Sequence, residues 1–93
     1  MLVVIVSPPH SERASAGVRL AAELAADIVL MGEAVGLARR GALEGFCGTA
    51  HALEDDVRQR GIPEAELERG VRLIDRAELR HMLEREGRAA EDF

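Results

Sequence analysis

Two runs constrain this chain more than any other feature. LVVIV (2–6) and DIVLM (27–31) are continuous, apolar and rich in β-branched residues. A strand with one wet face would alternate apolar and polar residues. These runs do not alternate, so they read as strands buried on both faces, as in a parallel sheet. Parallel neighbours need a crossover between them. HSERASAGVRLAAELA (10–25) supplies one: Ala14, Val18, Ala21 and Ala25 share a helical stripe, while Glu12, Arg19 and Glu23 lie mostly off it. Ser11 is placed to cap that helix.

The alternation continues. Gly32 turns the chain, and EAVGLARRG (33–41) reads as a short helix with Glu33 first, Arg39 and Arg40 last, and Gly41 as its stop. FCGTAHAL (46–53) is expected as a third strand. EDDVRQRG (54–61) repeats the order of acids, arginines and glycine, with Glu54–Arg58 and Asp56–Arg60 as i, i+4 pairs. IPEAELERG (62–70) connects, and VRLI (71–74) is a fourth strand. DRAELRHMLEREG (75–87) closes with a helix: Asp75 and Glu78 resemble a capping box, and Leu79, Met82 and Leu83 form its stripe. RAAEDF (88–93) reads as a polar tail ending in Phe93. Four such strand–helix alternations predict one α/β domain over residues 1–93, with a parallel sheet and right-handed crossovers.

Composition narrows the function. All twelve basic residues are Arg, against seventeen acids, for a net charge of −5. A nucleic-acid binder usually shows a basic surplus, and the absence of Trp and Tyr removes the stacking platforms for single strands. No direct nucleic-acid contact is expected. No apolar run reaches the ~20 residues of a membrane span, no secretory leader is visible, and one cysteine makes no internal disulfide. The cytoplasm is the expected compartment. So short a chain buries a modest share of its surface, which makes oligomerisation a natural source of further burial.

Several segments, taken in order, resemble the DsrE/DsrF/DsrH (Tus) sulfur-relay family, and its DsrH/TusB branch most closely. They are MLVVIVSPPHSER with RLA after it, IVLMGEAVGLA, HALEDDVRQRGI and GVRLIDRAELRHML. The resemblance implies a small three-layer α/β/α unit of the DsrEFH type, on a mostly parallel four-stranded sheet. It also implies small oligomers that pass persulfide sulfur between proteins, toward 2-thiolation of tRNA wobble uridine or in sulfur oxidation. Partners would be homologous DsrE/TusD-like and DsrF/TusC-like subunits, or further copies of this chain, together with sulfur-carrier proteins. In the family the carrier cysteine ends the third strand, about seven residues before an Arg-Gly. Here that position is Leu53. Some DsrH-type subunits carry a cysteine in the first helix, where this chain has Gly17. The resemblance therefore implies a non-catalytic subunit, with no cofactor.

The lone thiol, Cys47, has two readings: a small apolar residue in the third strand, among the most often buried types, or a sulfur-carrying nucleophile. A carrier needs an exposed, electrostatically favoured thiolate. His51 is expected either as a strand residue bonded to a carbonyl or as the lining of a small pocket or interface. Asp55 and Asp56 are expected as a solvated helix end or a subunit contact, rather than an acid/base pair. Gly32 and Glu33, with His51, form a candidate ligand edge. His10 is expected at the surface. The wide spacing of His10, His51, His81 and Cys47 matches no metal-ligand pattern. SPPHSER is a poor phosphate cradle, because its prolines remove two N–H donors. Two further readings stay open: a stand-alone homo-oligomeric sulfurtransferase using Cys47, and a small anion- or ligand-binding module.

Overall fold

The computed structural model describes residues 2–86 and 91–93. The chain runs β1 (Leu2–Ile5), α1 (Glu12–Leu24), β2 (Asp27–Leu30), a 3₁₀ helix (Gly32–Ala38), β3 (Ala50–Leu53) and α2 (Glu54–Gln59). A 3₁₀ turn (Glu64–Glu66), β4 (Arg72–Ile74), α3 (Arg76–Glu86) and β5 (Glu91–Asp92) complete it. The strands form one sheet in the order β4-β3-β2-β1-β5, and every pairing is parallel.

That order fixes the layers. From β1 to β4 the chain steps one way across the sheet, so right-handed crossovers put α1, the long 3₁₀ helix and α2 on one face. The step from β4 back to β5 reverses direction and puts α3 on the other. Two cores follow. Val3, Ile5, Ile28 and Leu30 pack with Ala14 and Ala21 of α1 and Val57 of α2. Leu2, Val29, Leu53 and Ile74 pack with Leu79 of α3, backed by Met82 and Leu83. β1 is buried at all of Leu2–Ile5, as its unbroken apolar run requires. The expected three-layer α/β/α unit is present.

Helix ends obey the local rules. The Ser11 side chain accepts from the Ala14 N–H at 3.1 Å. In α3, Asp75 Oδ1 accepts from the Glu78 N–H at 2.8 Å, and Glu78 Oε1 accepts from the Asp75 N–H at 3.5 Å, closing the capping box. Gly61, at φ 67°, stops α2 where a side chain would be strained.

Three expectations change. The third strand is confined to Ala50–Leu53, and Phe46–Thr49 is loop. Just before Ala50 the Thr49 N–H is taken by the Asp27 side chain at 3.1 Å instead of by a strand carbonyl. The chain there runs close against the α1–β2 turn, where a Cβ at Gly48 would lie 2.7 Å from the Ala26 carbonyl oxygen. The helix expected over 33–41 is 3₁₀ and ends at Ala38. Arg39 is extended and bridges Leu67, so it sits beyond the helix rather than in its last turn. The polar tail contributes a fifth, two-residue strand. The Phe93 N–H donates to Val4 O at 2.8 Å and Ser7 N–H donates to Phe93 O at 3.2 Å, docking the segment along β1. Residues 88–90 of that tail lie outside the described residues.

Candidate functional site

The C-terminal edge of a parallel sheet is its usual ligand edge. Here Leu53 ends β3 and is the N-cap residue of α2, fully buried against the α3 side of the sheet. Three acids, Glu54, Asp55 and Asp56, fill the first turn that follows. They do not act as a free acid pair. Asp56 Oδ2 accepts from the Gly32 N–H at 2.8 Å and ties α2 to the start of the 3₁₀ helix. Arg60, expected to pair with Asp56, instead lies 3.9 Å from Glu33. Asp55 is 3.7 Å from Arg76 of α3, and Glu54 takes the expected partner, Arg58. Gly32, Glu33, Leu53, Asp55 and Asp56 thus meet at one edge, where the polar members are bound to one another or to their neighbours.

His51 is elsewhere. Its register with Val29 and Arg72 puts it on the α3 face. It is buried, and Nδ1 lies 3.1 Å from the Ile28 carbonyl oxygen. That is the expected strand histidine bonded to a carbonyl. It also lines a cleft of about 760 Å³ between α3 and the N-terminal ends of the strands, which contains neither Gly32 nor Glu33. The ligand edge expected around Gly32, Glu33 and His51 is therefore split between two ends of the sheet.

Cys47 corrects the expectation of a buried strand residue. It lies in the loop before β3 and is exposed. Shortening the strand to Ala50–Leu53 removes the ladder that would have covered it. Its polar contact among the described residues is long, Sγ to Gly45 O at 3.8 Å. The nearby depression of about 340 Å³, lined by Leu43, Phe46, Ala50, Glu68 and Val71 among others, does not include it. His10 is exposed, as expected. Among the described residues, no group of three His, Cys, Asp or Glu side chains is placed to hold a metal ion. No described helix is long and apolar enough to cross a membrane.

No protein-family profile and no curated protein matches the chain. Solved structures do. The chain is similar to the YchN protein of E. coli, with a TM-score of 0.77 and 21% identity, over 99% of this chain and 97% of that one. It is also similar to MTH1491, a protein of unknown function from Methanobacterium thermoautotrophicum, with a TM-score of 0.76 and 17% identity over the same shares. The likeness establishes the fold: a small α/β/α domain of the YchN and DsrEFH-like kind.

Proposed function

We propose that this chain is an accessory, non-catalytic subunit of a cytoplasmic sulfur-relay assembly, on the pattern of the DsrH/TusB branch. One observation carries the reading. The position that holds the carrier thiol in the family is Leu53, whose side chain is sealed in the core. Its surroundings suit no sulfur anion either, since three carboxylates crowd the first turn of α2 and would repel a thiolate or persulfide. The chain then contributes shape and surface to a site whose cysteine belongs to a homologous partner. The acid-rich edge of Glu33, Asp55 and Asp56 is the surface offered to that partner. Delivery of the sulfur to tRNA or to sulfur oxidation rests with the assembly.

The test is a pull-down of the tagged chain from its native cell, with partners identified by mass spectrometry and the complex sized in solution. Recovery of two other small α/β proteins, one with a reactive cysteine at the end of its third strand, supports the reading. Recovery of this chain alone as a homo-oligomer refutes it.

One observation favours a second reading, a stand-alone sulfurtransferase: Cys47 is exposed. Access alone does not separate the two, because an exposed thiol alkylates whatever its role. Trapping a persulfide on Cys47 after incubation with a cysteine desulfurase and cysteine would support it.

A further inference from the structure

The α3 cleft lies on the opposite side of Leu53 from the acid-rich edge, and its chemistry is different. Its floor is Leu2, Ile74 and the buried His51. His51 is only 8% exposed. Its Nδ1 faces a carbonyl oxygen, which can only accept, so in the neutral ring Nδ1 carries the hydrogen. Nε2 is then a bare acceptor. It has no hydrogen-bond partner among the described residues, yet it is not a sealed, unsatisfied atom. It is therefore open to the cleft that the ring lines.

The charged rim is asymmetric in what it leaves free. Asp27 accepts from the Thr49 N–H at 3.1 Å, Glu78 is spent on the capping box, and Glu86 also has a partner. Arg72 and Arg85 have no hydrogen bond or ion pair among the described residues. The β3–β4 register sets Arg72 beside His51 on the same face, one strand spacing or about 4.8 Å away. Arg85 reaches the same cleft from the last turn of α3. The carboxylates of Asp27, Glu78 and Glu86 keep their charge when hydrogen-bonded or paired, and the C-terminal dipole of α3 adds to them. Attraction of an anion therefore rests on close contact with the two unpaired guanidinium groups and not on the net charge of the cleft.

We propose that this cleft binds a small 2-hydroxy acid: the carboxylate on Arg72 and Arg85, the adjacent hydroxyl donating to Nε2 of His51, and a short aliphatic body on Leu2 and Ile74. The strand pairing brings Arg72 and His51 side by side in one cleft, so that a single small ligand can meet both side chains. The acceptor Nε2 selects for the hydroxyl, because a ligand without that donor displaces water from the nitrogen and returns no hydrogen bond to it.

The test uses the full chain, labelled with ¹⁵N and titrated with 2-hydroxy-4-methylpentanoate at constant ionic strength. The ring nitrogens of His51 and the side-chain Nε–H groups of Arg72 and Arg85 are followed by NMR. All should shift together. 4-Methylpentanoate, which lacks only the hydroxyl, should bind about tenfold more weakly. The double variant Arg72→Ala/Arg85→Ala should lose at least about tenfold in affinity, while Arg19→Ala, on the other face of the sheet, should lose nothing. If the double variant fails to fold, Arg85→Ala alone carries the comparison. An unmoved His51, equal affinity for the two acids, or an equal loss in Arg19→Ala overturns the proposal.

Discussion

Phe93 lies directly over Gly17. A methyl group built on Gly17 would be 2.9 Å from Phe93 Cβ and 3.1 Å from Ile5 Cγ1. α1 therefore approaches β1 and the C-terminal segment as closely as a bare backbone allows. Position 17 has no room for a side chain unless its neighbours shift.

Gly17→Ala should destabilise the fold by about 1–3 kcal/mol through overpacking. Phe93→Ala should relieve part of that loss. A double-mutant cycle by urea denaturation checks it: the two changes should couple, since the groups touch. Purely additive effects would show that the contact is not made.

Leu53→Cys should not create a carrier. The side chain at this position is fully buried, so its thiol should stay unreactive in the native state and react on unfolding. Alkylation of the variant in a Cys47→Ser background, with and without denaturant, measures this. Leu53→Ala should cost about 2–5 kcal/mol for the cavity it leaves.

Cys47→Ser should leave stability within about 0.5 kcal/mol, as expected of an exposed site without a close partner. Native Cys47 should alkylate without denaturant, and a thiol that reacts only on unfolding would contradict its loop position.

Asp56→Ala should cost about 1.5–3 kcal/mol, because it removes a charge-assisted hydrogen bond from the Gly32 N–H. Asp55→Ala, whose ion pair with Arg76 is solvent-exposed, should cost less than about 1 kcal/mol. Thermal melts of the two variants should separate them clearly.

Much of this architecture was legible in local pattern. The buried runs at 2–6 and 27–31, the Ser11 cap, the Asp75–Glu78 box and the glycine after α2 all depend on residues within a few positions of one another. Their energetics are decided by neighbours along the chain, so the sequence alone determined the strand–helix alternation and the parallel sheet. The position of Leu53 at the start of α2 was legible for the same reason.

What tertiary structure decided lies where distant segments compete for the same space or partner. The Asp27 side chain takes the Thr49 N–H just before β3, and Cys47, two residues earlier, lies exposed outside the ladder. Asp56 chose the N–H of Gly32 over Arg60, because a fixed backbone donor binds a carboxylate without freezing a long side chain. A two-residue strand too short to show periodicity formed because β1 offered an open edge. The cleft of His51, Arg72 and Arg85 exists only because α3 crosses back over the sheet, a consequence of strand order that no local pattern contains.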